Sequence, residues 1–187
     1  VGIFSQDDPN RLMPLGEIGQ IGGRGASLML GYFEDEASTA ASFNRGGYFM
    51  TGDIGSLNAD GYLKITGRKK DVIIRGGHNI YPARIEALAM RHGSVERAAA
   101  VPILDQRLGE RVCIVVTLRS DVDMVPQEFL AHLDKEGLSK YDMPEYFLQV
   151  DEMPVTANGK IMKRALNERI DRREVIPQPV RWTPPNQ

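Results

Sequence analysis

A single lysine, Lys160, stands in a short segment, PVTANGK (residues 154–160), in which few side chains could contribute to a hydrophobic core. The proline, asparagine and glycine of this segment are typical of turns, so the lysine is expected on a loop. Its ammonium group is a compact positive charge on a flexible stem and can bridge two anionic groups. Taken alone, the pattern is also that of an ordinary exposed lysine, and both interpretations stay open at this point.

The largest group of candidate residues lies in the segment GRKKDVIIRGGHNIYP (residues 67–82). Three adjacent cations, Arg68, Lys69 and Lys70, precede an apolar run typical of a buried strand, and Gly76 and Gly77 follow that run. A glycine pair lets the backbone approach a ligand closely or adopt positive φ angles. A tight turn beside a solvated run of charges would explain the same residues without any ligand.

A third candidate is Asp53, which follows a glycine in the segment YFMTGD (residues 48–53). Its carboxylate could accept two hydrogen bonds from the diol of a ribose. For this segment alone, an aspartate that caps a helix or a turn is the simpler interpretation.

The composition limits the classes of function. The chain has 187 residues, is 42% hydrophobic and has a formal net charge of -2, so it has enough apolar surface for one or two small cores. This charge argues against nucleic-acid binding through a general basic surface. The basic segment KRALNERIDRR near the end of the chain is therefore interpreted as a solvated helix face rather than as an RNA or membrane site.

Other site types are also unsupported by the sequence. No apolar run approaches the roughly 18 residues that a membrane span requires. The lone cysteine, Cys113, lies in the apolar run RVCIVVTL and is expected to be buried, and the lack of a disulfide framework permits a cytoplasmic location. The three histidines, His78, His92 and His132, are too scattered along the chain to indicate a zinc site.

The hydrophobic pattern changes in the middle of the chain, and the fold class is predicted as α/β (α+β). The first part is rich in glycine and short strand patterns, with a short helix near residues 35–43 and a hairpin turn at residues 58–61. The second part alternates strands with helices, among them PARIEALAMRHG, VPQEFLAHLDKEG and KIMKRALNERIDRR. Such alternation indicates a small sheet with flanking helices.

Together, the three segments resemble, in order and spacing, the last three core motifs of the adenylate-forming enzymes. The segments are YFMTGD, GYLKITGRKKDVIIRGGHNIYPARIE and PVTANGKIMKRAL, and the resemblance runs from about Gly16 to Arg173. This superfamily includes acyl-CoA synthetases, the adenylation domains of peptide synthetases, and luciferases. The glycine pair favours an AMP-forming acyl-CoA synthetase.

The resemblance also implies a domain organisation. The phosphate loop and the adenine-contacting motif of the family have no counterpart here, so the chain is expected to be part of a longer parent enzyme. Residues 1–69 would be the β-rich end of its large N-terminal domain. Residues 70–187 would be its small mobile C-terminal domain, with a three-stranded sheet, flanking helices and a proline-rich tail at about 174–187. The first residue, a valine rather than a methionine, suggests a processed product or a fragment.

The resemblance implies a role for each candidate residue. It assigns nucleotide binding to Asp53 and Arg68, the hinge to Lys70, the CoA tunnel to Gly76, Gly77 and Asn79, and catalysis of adenylation to Lys160. The parent would use ATP, Mg²⁺ and CoA with a carboxylic acid substrate and would bind no metal permanently. The chain alone would be inactive. Two alternatives remain: a freestanding α/β binding module that lost the chemistry, and the adenylation domain of a peptide synthetase or a luciferase-like enzyme.

Overall fold

A computed structural model of the chain describes residues 1–119 and 123–183. The chain divides into two units, of which the first is Val1–Asp71 and the second begins at Val72. The boundary predicted from the sequence falls between residues 69 and 70, two residues before this division. None of the four helices in the described ranges is long and apolar enough for a membrane crossing.

The first unit is built on an antiparallel four-stranded sheet. Its strands are β1 (Gly2–Phe4), β2 (Gly19–Gly23), β3 (Phe49–Leu57) and β4 (Leu63–Arg68), in that order across the sheet. The predicted hairpin at residues 58–61 is confirmed and joins β3 to β4, with Gly61 at a φ of 84°. The predicted short helix is also confirmed as α1 (Glu36–Ser42), and the Asp35 carboxylate accepts a 2.9 Å hydrogen bond from the Ser38 amide.

The second unit contains a mixed sheet of six strands. They are β5 (Ile73–Arg75), β6 (His78–Ile80), β7 (Val95–Asp105), β8 (Gly109–Leu118), β9 (Tyr146–Gln149) and β10 (Gln178–Pro179). The central strand is β8, which pairs with the long β7 antiparallel on one side and, on the other, lies parallel to β9 and meets β5 at Gly109. Three helices accompany the sheet: α2 (Pro82–Ala89), α3 (Pro126–Lys135) and α4 (Lys163–Asp171).

The alternation of side chains along β7 and β8 divides the core of the second unit into two clusters. One cluster contains Ala98, Ala100, Val112 and Ile114 with the buried faces of α2 and α3. The other contains Ala99, Val101, Cys113 and Val115 with Leu166 of α4. Because successive strand residues point to opposite faces, a continuous apolar run is buried on both sides of the sheet.

The fold class is confirmed, but the predicted number of strands in the second unit is wrong. The strands β5, β6 and β10 extend the sheet beyond β7, β8 and β9. The apolar run that forms β5 was expected to be a strand but was not counted in the sheet. The strands β6, with three residues, and β10, with two, contain little alternation to recognise. Part of the proline-rich tail is therefore an edge strand that pairs with β9. Residues 184–187 of that tail lie outside the described residues.

The cysteine is buried as predicted. Cys113 is fully buried on β8, and this burial raises the pKa of its thiol to about 12. A free thiol in an unfolded chain has a pKa near 8.5, so at about pH 8 unfolding exposes a reactive thiolate that the folded chain lacks. We expect a disulfide reagent such as DTNB to leave the folded chain unlabelled at this pH and to label one thiol after guanidinium chloride is added. Rapid labelling of the folded chain would contradict the burial.

Candidate functional site

Lys160 lies at the end of a tight hairpin turn. The Thr156 amide donates to the Lys160 carbonyl at 2.8 Å, and the Gly159 amide donates to the Thr156 carbonyl at 2.8 Å. Gly159 has a φ of 77°, which suits glycine in a turn that includes a bulge. Residues 157–160 are exposed, so the hairpin presents the lysine side chain to solvent.

The base of this hairpin is fixed by apolar packing. Val155 and Ile161 form an antiparallel bridge, and both side chains pack against the cluster that contains Leu166. The Met162 amide donates to the Pro154 carbonyl at 2.8 Å and closes the base. The predicted helix at the end of the chain therefore begins at Lys163 rather than at Lys160, because the intervening backbone belongs to the hairpin.

Two polar contacts connect this region to the rest of the second unit. An Nη1 group of Arg97, on β7, donates to the Gly159 carbonyl at 3.1 Å. At the start of α4, Lys163 Nζ lies 2.6 Å from the Glu86 carboxylate, which also accepts a 2.9 Å hydrogen bond from the Ala100 amide. Both contacts link the hairpin and the helix after it to β7, the second through Glu86 of α2.

Asp53 and Arg68 are directly opposite each other on β3 and β4. Arg68 Nε lies 3.0 Å from Asp53 Oδ1, and the aspartate side chain keeps 29% of its surface exposed. The backbone that places Asp53 is shaped by Gly52, with a φ of 76°, and by Thr51, whose hydroxyl accepts a 3.0 Å hydrogen bond from the Asp53 amide. The arrangement is an oriented, accessible carboxylate with a guanidinium beside it.

Lys70 lies in a short 3₁₀ turn, Lys69–Asp71, at the end of the first unit. Its side chain is exposed. The neighbouring Lys69 is held by a 2.8 Å hydrogen bond from its Nζ to the Gln6 carbonyl. A short turn of this kind at the end of a unit is a position at which a few φ and ψ changes could redirect the following chain.

Gly76 and Gly77 form the two-residue turn of the hairpin between β5 and β6. Their φ angles are 58° and 85°, which is the backbone required by the tight hairpin turns that favour glycine. A Cβ atom at Gly77 would meet no atom within 4 Å, so the space outside this turn is open. Asn79 is exposed on β6, opposite Ile74.

Charged groups hold this glycine hairpin against the loop before β9. Arg75 forms a 2.7 Å ion pair with Glu145 and also donates to the Tyr141 carbonyl. The ring of His78 lies 2.9 Å from Asp142 Oδ1. These contacts leave the two glycines at the exposed tip of a hairpin whose base is anchored.

The two hairpins of the second unit lie at opposite ends of the β7 and β8 pair. Arg75, beside the glycine turn, pairs with Gly109, whereas Arg97, beside the Lys160 turn, pairs with Thr117. Gly109 and Thr117 are eight residues apart on one strand, which corresponds to about 26 Å at a rise of about 3.3 Å per residue. The structure therefore does not bring all the predicted residues of this unit together.

Sequence reasoning missed several contacts at the site. The partners Arg97 and Gly159 are 62 residues apart in the chain, and Arg75 and Glu145 are 70 residues apart. An arginine within a strand pattern or beside a turn gives no local sign of the carbonyl or carboxylate that it meets. The sequence gives one indirect sign of these contacts. A charged residue next to apolar strand residues requires a partner, but the sequence does not show which residue that partner is.

Two of the three histidines, although far apart in sequence, lie close together in the structure. The ring centroids of His92 and His132 are 4.9 Å apart, because the turn after α2 packs beside α3. Burial and, to a lesser extent, the neighbouring His132 lower the pKa of His92. Within residues 1–119 and 123–183, no group of three or more His, Cys, Asp or Glu side chains could hold a metal ion.

Comparison with known protein families gives one match, which covers the part of the second unit that contains the Lys160 hairpin. Residues 84–160 match the AMP-binding enzyme C-terminal domain. The medium-chain fatty-acid–CoA ligase of Escherichia coli (strain K12) is 36% identical over 168 residues, which are 89% of this chain and 30% of the ligase. The mitochondrial medium-chain acyl-CoA ligase ACSF2 of Danio rerio is 40% identical over 161 residues, which are 86% of this chain and 26% of that protein.

Solved structures give the same result. ATP-bound MatB from Rhodopseudomonas palustris has a TM-score of 0.80 and 31% identity, over 90% of this chain and 33% of MatB. The o-succinylbenzoate CoA synthetase MenE of Bacillus subtilis, in complex with its acyl-adenylate intermediate, has a TM-score of 0.78 and 32% identity, over 88% of this chain and 33% of MenE. The chain spans about a third or less of the length of each of these proteins. Residues 84–160 therefore form an AMP-binding enzyme C-terminal domain, and the chain as a whole is similar to about a third of each of these adenylate-forming enzymes.

Proposed function

We propose that this chain is the C-terminal part of an ATP-dependent, AMP-forming acyl-CoA ligase. The parent enzyme would first join a carboxylic acid to the α-phosphate of ATP and release pyrophosphate, and would then transfer the acyl group from AMP to the thiol of CoA. Support comes from relatives that are named as acyl-CoA ligases and that are about three times as long as this chain. Their names make medium-chain fatty acids the first substrates to assay.

The observation that supports this function best is the separation of the two hairpins. The first step needs a cation at a phosphate, and the second needs an open path for a thiol arm. The strand positions beside the two turns, Gly109 and Thr117, are about 26 Å apart on β8 at about 3.3 Å per residue. A unit that presents Lys160 near one of these positions and Gly77 near the other would supply only one of them at a time to a single site. The second unit would therefore adopt two orientations, with Lys70 as the hinge.

Lys160 would act in the first step. The carboxylate and the α-phosphate are both anionic, and negative charge gathers on the phosphate oxygens in the transition state. An exposed ammonium on an anchored hairpin can approach both groups, and in the described residues no carboxylate pairs with it. The lysine would thus lower the barrier by electrostatic stabilisation.

Asp53 and Arg68 would bind the nucleotide. A carboxylate held by a guanidinium on the neighbouring strand is oriented without being fully buried, so it can accept hydrogen bonds from the two hydroxyls of the ribose. The described residues contain no metal-binding group of their own, and Mg²⁺ would arrive bound to the phosphates of ATP.

Gly76, Gly77 and Asn79 would line the path of CoA in the second step. Both glycines are exposed at the tip of an anchored turn, and the open space beside Gly77, where a Cβ atom would meet nothing within 4 Å, leaves room for a narrow pantetheine arm. The exposed amide of Asn79 lies on the adjoining strand, where it could form a hydrogen bond with the amides of that arm.

A cytoplasmic location and the absence of a nucleic-acid partner remain predictions. The net charge of -2 supports the second of these. The Danio rerio relative is named as mitochondrial, so the chemistry proposed here is compatible with more than one compartment.

We expect the chain alone to release no pyrophosphate from ATP in the presence of carboxylic acids. Asp53, Arg68 and Lys160 do not by themselves hold a triphosphate, and the missing two thirds of a relative's length would have to supply the rest of the site. A pyrophosphate-release assay should detect turnover by the parent enzyme with octanoate, ATP and Mg²⁺, and none by the chain. Acid-dependent turnover by the chain would contradict the proposal, and an inactive parent over a panel of acids would favour a binding module.

A further inference from the structure

In the described residues, one hydrogen bond holds the tip of the Lys160 hairpin, residues 157–160, against another element. Among the contacts of residues 1–119 and 123–183, the hydrogen bond from Arg97 to the Gly159 carbonyl is the one that joins residues 157–160 to another element. The apolar contacts of this hairpin are at its base, through Val155 and Ile161. The position of the tip therefore depends on Arg97 as well as on the turn itself.

Within the turn, the Lys160 backbone is held by Thr156: the Lys160 amide donates to Thr156 Oγ1 at 3.2 Å, and the Lys160 carbonyl accepts from the Thr156 amide at 2.8 Å. Packing adds little to these hydrogen bonds. Gly159 has no side chain, and a Cβ atom there would meet nothing within 4 Å, so packing does not hold this residue. Residues 157 and 158 are exposed as well. Exposed turns that contain glycine have low local stability unless another element holds them.

Arg97 itself is firmly placed. It lies on β7 between the buried residues Val95 and Ala98 and pairs with Thr117 of β8. The register of the ladder shifts between Val95 and Arg97, which is the signature of a bulge. Bulges redirect side chains and are common beside active sites. A charged donor also makes a stronger hydrogen bond to a carbonyl than a neutral donor does.

We propose that Arg97 is a positioning residue that acts through the Gly159 carbonyl to place the Lys160 ammonium for adenylate formation. This inference rests on the proposed role of Lys160 in the first step. Arg97 has no assigned contact with substrate and needs none, because it orients the backbone immediately before the lysine. Its effect is confined to the half-reaction that uses Lys160.

The test compares variants of the parent enzyme in the two half-reactions. Arg97→Met removes the donors and keeps the length of the side chain, and we expect it to lower the kcat of ATP–pyrophosphate exchange about tenfold with little change in the KM for ATP. Arg97→Lys retains one donor and should recover part of this loss. Thioester formation from a synthetic acyl adenylate should be unchanged in both. Arg164→Met, at an exposed arginine whose one ion pair in the described residues is with Glu168, is the control and should match the wild type.

A double variant distinguishes a failure of the positioning role of Arg97 from a failure of the proposed role of Lys160, on which it rests. In the Lys160→Ala background, Arg97→Met should cause no further loss, because its only route is through the lysine. A further loss there, equal losses in both half-reactions, or wild-type exchange by Arg97→Met would overturn the positioning role. Wild-type exchange by Lys160→Ala would instead overturn the proposed role of Lys160. Thermal unfolding of each variant identifies any that fail to fold. If Arg97→Met is among them, Arg97→Gln, which loses the charge and keeps an amide donor, takes its place; it should lower pyrophosphate exchange by less than about tenfold and leave thioester formation unchanged, and wild-type exchange would overturn the positioning role.

Discussion

Replacement of Lys160 by alanine in the parent enzyme is expected to slow acyl-adenylate formation by about 10²–10³, or about 3–4 kcal/mol of transition-state stabilisation. The lysine is exposed at a hairpin tip, so its loss should not affect the fold. The measurement is acid-dependent exchange of labelled pyrophosphate into ATP. Thioester formation from a synthetic acyl adenylate and CoA should continue at the wild-type rate, because that step uses the other orientation.

Two further lysine variants make this test specific. Lys160→Arg should also be impaired, because a longer planar guanidinium does not occupy the position of a point charge that bridges two anions. Lys135→Ala removes a different exposed lysine, on α3, and should have no effect on exchange. Equal loss of both half-reactions in Lys160→Ala would show that the lysine either acts in both steps or has only a structural role.

Replacement of Gly77 by leucine is expected to lower thioester formation by at least about 10² and to leave acyl-adenylate formation nearly intact. A leucine side chain at this turn would extend into the open space that we assign to the pantetheine arm. The measurement is the rate of acyl-CoA formation when the variant receives synthetic acyl adenylate and CoA.

The matched control for this prediction is Gly77→Ala. Gly77 has a φ of 85°, so alanine and leucine should both incur a backbone strain of about 1–2 kcal/mol. Only leucine adds bulk beyond Cβ. A similar defect in both variants would attribute the effect to the turn rather than to a blocked path, and equal loss in both half-reactions would count against the assignment to CoA.

Local sequence patterns were sufficient to predict the helices and turns whose formation depends on residues close together in the chain. The helix α3 begins at Pro126, within the predicted segment VPQEFLAHLDKEG, and buries Phe129, Leu130 and Leu133 on one face. The end of α2 was predicted less well. The predicted segment PARIEALAMRHG runs to Gly93, but the helix ends at Ala89, because the chain must turn before buried Val95 begins β7. The C-terminal end of α2 therefore depends on where the next strand, β7, lies in the fold.

At the candidate site, too, local sequence patterns could not reveal what tertiary structure determines. The motif around Lys160 could be recognised because its turn residues are adjacent in the chain, and the structure places the lysine on the expected loop. Three contacts join residues far apart in sequence: the hydrogen bond from Arg97 to Gly159, the ion pair between Arg75 and Glu145, and the contact of His92 with His132. Only the pairing of strands and the packing of helices bring these residues together, so no local pattern could indicate them.

The central claim is that this chain presents different surfaces to the two steps of an acyl-CoA ligase. The most direct test measures both half-reactions in Lys160→Ala and Gly77→Leu of the parent enzyme, side by side with the wild type. We predict opposite defects: the lysine variant loses pyrophosphate exchange and keeps thioester formation, and the glycine variant does the reverse. Loss of the same half-reaction in both variants, or equal loss of both steps in each, would contradict the claim.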